Sequence, residues 1–232
     1  MNAPAEFVDV TVETHGPVRV LRFNRAAKKN AITRAMYTAM AEGLESASTD
    51  PAVRVVVIAG SEGVFTAGND LMDFMQAPPT IGGGDMPPVE RFMRALLGCS
   101  KPVIACVDGL AIGIGVTLLL HCDLAYASDR STFKTPFVDL ALVPEFGSSA
   151  VLPGIVGRVV ASELLLLGET WNASRAEAKN LVNGVFPADQ LEAQVMSRAE
   201  ALAAKAPNAV KKSKALMTKG GEAIHTLMAQ EA

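Results

Sequence analysis

The 232-residue chain is half apolar and only 19% charged, which supplies one substantial core and excludes disorder. A formal charge of −3 with no long basic run argues against nucleic acid as a partner. The clusters Lys28-Lys29 and Lys211-Lys212-Ser213-Lys214 read as solvated faces that an anionic ligand could also use.

In chain order, residues 1–12 show no basic stretch followed by an apolar one, so no secretory leader is expected. Residues 8–12 and 18–23 alternate on either side of His15-Gly16-Pro17 and predict a β-hairpin. Thr33 predicts the cap of a helix over residues 33–47, with Ala35, Met36, Ala39, Met40 and Leu44 on one face and Asp50-Pro51 closing it. The β-branched run over residues 53–59 predicts a strand buried on both faces of a mostly parallel sheet. Residues 76–88 carry too much Pro and Gly for a regular element and predict a mobile flap. A helix over residues 88–97 follows, with Pro88 in its first turn. A strand over residues 103–107 leads through Asp108-Gly109 to an apolar helix near residues 115–122. The apolar run 110–120 is too short to span a bilayer, so no membrane partner is expected. Short strands are predicted over residues 124–127 and 132–134, then helices over 159–167, 175–181, 191–205 and 208–219. The order predicts an α/β core with a helical C-terminal part. Cys99, Cys106 and Cys122 lie in apolar runs with no CxxC and no paired His, which fits buried thiols rather than a disulfide framework or a metal site. The cytoplasm is the expected location.

Common catalytic signatures are missing. There is no GxSxG elbow, no histidine has a Ser and Asp companion set, Gly113-Ile-Gly115 lacks the third glycine of a dinucleotide fingerprint, and no P-loop occurs. Two junctions rich in small residues remain. Val64-Phe-Thr-Ala-Gly-Asn-Asp-Leu71 follows the strand ending at Gly60, and Asp108-Gly-Leu-Ala-Ile-Gly-Ile-Gly115 follows the strand ending at Val107. Open α/β sheets place ligands beyond such strand ends, and glycine there lets main-chain N–H groups come close. On pattern alone, tight turns that need small residues account for these junctions better than a ligand site does.

Taken in order, further segments narrow the choice. Phe65-Thr-Ala-Gly-Asn-Asp-Leu71 and Asp108 to Gly115 resemble the two oxyanion-hole segments of the crotonase (enoyl-CoA hydratase/isomerase) superfamily. Asn24-Arg25-Ala-Ala-Lys-Lys-Asn30 resembles its N-R-P-x-x-x-N segment, with Ala26 in place of proline. Cys122 to Ala127, Thr132 to Pro136, Gly168 to Ala173 and Leu181 to Val185 continue the match in order. The resemblance implies a crotonase-like ββα spiral core over residues 1–190 and a C-terminal helical oligomerisation segment over 191–232. It further implies a homotrimer or dimer of trimers, and an acyl-CoA thioester as substrate. Coenzyme A would enter as part of that substrate, with no tightly bound cofactor and no metal. The thioester oxygen would be held by the main-chain N–H groups of Asn69 and Ile114. Adenine and phosphates would lie near Arg25, Lys28 and the segment Ala67, Gly68, Asn69, Asp70 and Leu71, with Gly113 and Phe137 also at the substrate. Lys28 reads equally as an exposed loop lysine. The family continues beyond the segment resembling 191–219, so either a tail follows Ala232 or the oligomer differs.

Hydratases of the family use two glutamates, and the matching positions here are Thr117 and Phe137, neither of which ionises usefully. Glu145, in Leu142-Val-Pro-Glu-Phe-Gly-Ser-Ser149, is similar in setting to the single acid/base of peroxisomal-type Δ3,Δ2-enoyl-CoA isomerases. Its bland alternative is a first-turn helix glutamate. Phe137, Leu140, Leu142, Val143 and Phe146 are expected as its apolar walls, Asp139 as structural or pocket-lining, and Asp70 as a brace or cap. A hydratase or other lyase, and an acyl-CoA-binding protein that has lost catalysis, are the competing functions.

Overall fold

The alternating residues at the start of the chain form β1 (Val10–His15) and β2 (Val18–Phe23), an antiparallel pair in which Val10 faces Phe23 and His15 faces Val18. The computed structural model describes residues 9–76, 86–218 and 221–231. Thr33 accepts the Met36 N–H at the start of α1 (Arg34–Thr49), whose buried Met36, Tyr37, Met40 and Leu44 recur at helical spacing. The β-branched run becomes β3 (Val55–Ala59), buried at all five positions and parallel to β2. A short α2 (Leu71–Gln76) and α3 (Pro88–Gly98) precede β4 (Val103–Val107), β5 (Leu110–Ile112) and α4 (Ile114–Thr117). The flap expected over residues 76–88 falls mostly outside the described residues.

Beyond α4 come β6 (Leu124–Ser128), β7 (Thr132–Lys134), α5 (Ser148–Val156), α6 (Arg158–Leu165), β8 (Trp171–Asn172), α7 (Ala173–Ala178) and β9 (Gly184–Phe186). Helices α8 (Leu191–Ala203), α9 (Pro207–Met217) and α10 (Gly221–Glu231) close the described chain. One sheet has the order β1-β2-β3-β4-β6-β9, parallel except for the hairpin, and a smaller sheet has the order β5-β7-β8. One face of the large sheet buries Val56, Ile58, Val103 and Ala105 in a core shared with Met40, Leu44 of α1 and Phe92, Leu96 of α3. The other face buries Val20, Val57 and Ile104 against Leu191, Val195 and Ala199 of α8.

Helix α8, the start of the segment expected over 191–232, is the layer that keeps the second face of the sheet dry. Two expectations need correction. The apolar helix expected near residues 115–122 is a four-residue α4 followed by a 3-10 turn, Leu118–His121. The residues just before it form β5, because Ala111 pairs with both Thr66 and Phe133. Helices α5 and α10 carry no start signal strong enough to predict them.

Candidate active site

The first Gly-containing segment is held by Asn30. This residue is fully buried at φ 52°, its carboxamide oxygen accepts the Arg25 N–H at 2.7 Å, and its amide donates to the Val64 carbonyl at 2.6 Å. Its own carbonyl accepts the Thr66 hydroxyl at 2.7 Å. Gly68 then adopts φ +87°, and a Cβ there would lie 2.9 Å from the Ile112 oxygen, so both backbone shape and close approach require glycine. The bridge between Ile32 and Asn69 uses Ile32 N–H to Gly68 O and Asp70 N–H to Ile32 O, which leaves the Asn69 N–H directed away from it. Among the described residues no protein acceptor takes that N–H. The Asn69 side chain is fixed separately, its oxygen accepting the Tyr37 hydroxyl.

The second segment runs alongside the first. Thr66 N–H donates to the Leu110 carbonyl at 2.8 Å and Ile112 N–H returns to the Thr66 carbonyl at 3.0 Å. Gly113, at φ 56° and ψ −117°, opens α4 while its N–H donates to the Lys134 carbonyl. The Ile114 N–H is the first of α4, with no acceptor among the described residues.

Glu145 faces the far end of α4: the Thr117 hydroxyl donates to its Oε1 at 3.5 Å. It shares a cavity of about 60 Å³ with Ile32, Tyr37, Asn69, Phe74, Val89 and Met93. That is room for a few water-sized groups rather than a whole ligand. Burial first, then the Glu231 charge, push the Glu145 carboxyl up to about 7, opposed by the Thr117 hydroxyl. Burial and the Glu145 charge also hold the Tyr37 phenol well above its ordinary value. Glu145 is not in the first turn of a helix, since α5 begins three residues later behind Gly147.

The structure therefore brings Asn69 and Glu145 to one cavity. Ile114 is joined to them through the paired segments and α4, and is not among the residues that line that cavity. The expected walls are corrected. Leu140, Leu142 and Val143 are exposed in the single chain at 49%, 46% and 60%, whereas Phe137 and Phe146 are buried in the core away from the cavity lining. Asp139 is exposed and paired with Lys134 at 3.1 Å, outside the cavity.

Arg25, Lys28, Asp70, Met72 and Asp73 line a neighbouring open groove of about 320 Å³. Lys28 is exposed, and Arg25 donates to Asp70 at 2.7 Å, which helps hold that carboxyl below its usual range. Asp70 also accepts the Met72 and Asp73 N–H groups, so it caps α2 and braces the segment. Ala67 N–H is bonded to the Lys29 carbonyl, and Leu71 is exposed. Tyr37 is not singled out by sequence pattern, and Asn30 enters it only as the last residue of the Asn24 to Asn30 segment. Their roles depend on partners more than thirty residues away.

Residues 13–231 match the family model of enoyl-CoA hydratase/isomerase. Enoyl-CoA delta isomerase 2 of Rattus norvegicus is 38% identical over 229 residues, covering 96% of this chain and 58% of the relative, so the chain spans under two thirds of that protein's length. The 2,3-dehydroadipyl-CoA hydratase of Escherichia coli is 32% identical over 224 residues, covering 96% of this chain and 87% of the relative. The structure of Pseudomonas aeruginosa OdaA superimposes with a TM-score of 0.91 at 44% identity, covering 96% of this chain and 90% of that one. With the α/β spiral core, the two paired glycine segments and these matches in hand, the chain belongs to the enoyl-CoA hydratase/isomerase (crotonase) family, close to the Δ3,Δ2-enoyl-CoA isomerases.

Proposed function

We propose that the protein is an enoyl-CoA isomerase that converts a 3-enoyl-CoA to its 2-enoyl isomer with Glu145 as the single acid/base. The observation that carries this reading is a carboxyl at about 7 in the same cavity as Asn69, beside a Thr117 that cannot ionise. The Asn69 and Ile114 N–H groups would accept the negative charge that develops on the thioester oxygen. The Glu145 carboxylate would take a proton from C2, leaving a dienolate, and return it at C4, so that the double bond moves into conjugation and no atom is gained or lost. Coenzyme A enters as part of the substrate, with its phosphates along the Arg25 and Lys28 groove. No tightly bound cofactor is needed. A cytoplasmic homotrimer or dimer of trimers completes the reading.

Hydratase chemistry is the second reading, favoured by the E. coli relative at 32% identity. Supplying 3-enoyl-CoA and 2-enoyl-CoA to the protein and to Glu145→Gln separates the two. The isomerase reading expects faster turnover of the 3-enoyl thioester and its loss in Glu145→Gln, with CoA-thioester affinity kept. Faster hydration of the 2-enoyl thioester, or near-normal turnover in Glu145→Gln, would sink it.

A further inference from the structure

The turn that carries Glu145 is unusual in its backbone. Phe146 at φ 58° and Gly147 at φ 69° are consecutive left-handed residues, and the first is a bulky aromatic for which that region is unfavourable. Something must hold it. From one side His121 stacks on the Phe146 ring at 4.1 Å, and its Nε2–H donates to the Phe146 carbonyl at 2.7 Å. From the other side comes α10. The Glu231 carboxylate accepts the Gly147 N–H at 2.6 Å and the Ser149 N–H at 3.1 Å, and also takes the Ser149 hydroxyl. The same helix buries Met228 in the core and brings Ile224 directly over Gly147, where a Cβ would lie 2.9 Å from the isoleucine methyl.

We infer that Glu231 is a positioning residue for Glu145: by gripping the Gly147 and Ser149 N–H groups it makes the seating of α10 a condition for the base to point into the cavity. This rests on the reading of Glu145 as the base. The carboxylate also satisfies the free N–H groups at the start of α5, where a negative charge is favourable. The groups that face Glu145 are Tyr37 from α1, Thr117 from α4 and Glu231 from α10, with Arg34, Asp70 and Asp73 around the same cavity. Glu231 thus acts on the base in two ways, through the geometry of the turn and through its charge.

The test uses the full chain with Glu231→Ala and the shape-preserving Glu231→Gln, compared by amide hydrogen exchange and by steady-state isomerisation of a 3-enoyl-CoA. In Glu231→Ala the Gly147 and Ser149 amides should exchange at least tenfold faster. There kcat should fall about tenfold, as expected for a base displaced by a fraction of an ångström, with KM changed less than twofold. In Glu231→Gln the kcat loss should be smaller and the acid limb of the pH profile should move to lower pH, because a like charge near Glu145 is gone. Unchanged exchange at Gly147 and Ser149, or faster exchange with kcat unaltered, overturns the inference. A Glu145→Gln enzyme that still turns over overturns instead the assignment of the base on which it rests.

Discussion

A carboxyl that removes a proton from carbon and then returns it must be nearly as willing to hold the proton as to lose it. Glu145 meets that requirement through burial and the Glu231 charge, which raise it from 4.5 to about 7. As a base it must start ionised, so kcat/KM for a 3-enoyl-CoA should rise with pH and reach half its plateau near 7. A profile already flat from pH 5 upward would contradict this. The same shift has a cost in stability. Below the unfolded value both states are protonated and nothing is lost. Between about 4.5 and 7 only the unfolded chain ionises, so stability falls as pH rises through this window and stays reduced above it. Glu145→Gln should therefore raise the melting temperature at pH 8 by a few degrees, at most about 3 kcal/mol, and leave it unchanged at pH 4. Thermal melts at the two pH values check the sign. Asn30 makes the opposite case at this scale: its carboxamide satisfies the Arg25 N–H and the Val64 carbonyl in a fully buried position. Asn30→Ala should lose about 2–4 kcal/mol in denaturant unfolding, because both main-chain groups are left without partners.

The paired glycine segments work as one element, since each supplies the other's main-chain partners across Thr66, Leu110 and Ile112. Gly68 is where this pairing leaves no space for a side chain. In Gly68→Ala the left-handed backbone and the 2.9 Å approach to the Ile112 oxygen cost about 1–3 kcal/mol, and the Asn69 N–H must shift with them. Turnover should fall about a hundredfold, the scale for losing one oxyanion donor, while the fold survives by circular dichroism. Retained turnover would remove Asn69 from the proposed site. Sequence exposes this element because a positive φ leaves a glycine behind, just as the Thr33 hydroxyl marks the start of α1 and the Val-rich run marks β3. It does not expose β5, whose three residues become a strand only because Thr66 and Phe133 lie beside them. Nor does it expose the grip of Tyr37 on Asn69 or of Glu231 on Gly147, contacts spanning 32 and 84 residues that leave no local periodicity. The proposed base, Glu145, is reachable only through resemblance, because one glutamate in a loop has no pattern of its own.

At the scale of the whole molecule, residues 138–167 present an apolar surface. Val138, Leu140, Leu142 and Val143 project from the loop before Glu145, and Val159, Leu166 and Leu167 project from α6 and its end. Gly168 lies against the Asp139 carboxylate, which sets these two groups of side chains side by side. Large contiguous apolar patches on a folded surface mark association sites, and the loop concerned is the one that carries Glu145. We expect this surface to be buried between copies of the chain, giving a particle with three times the 24.3 kDa of one chain or a dimer of such trimers. Sedimentation equilibrium should show that mass, and the double variant Leu166→Glu, Leu167→Glu should sediment as a folded single chain, because burying two carboxylates at an apolar contact is strongly unfavourable. Since Leu142 and Val143 would lose their cover at the same time, the dissociated variant should also turn over more slowly than the assembled protein. A wild-type chain that sediments as a monomer while fully active would show that the patch has another purpose.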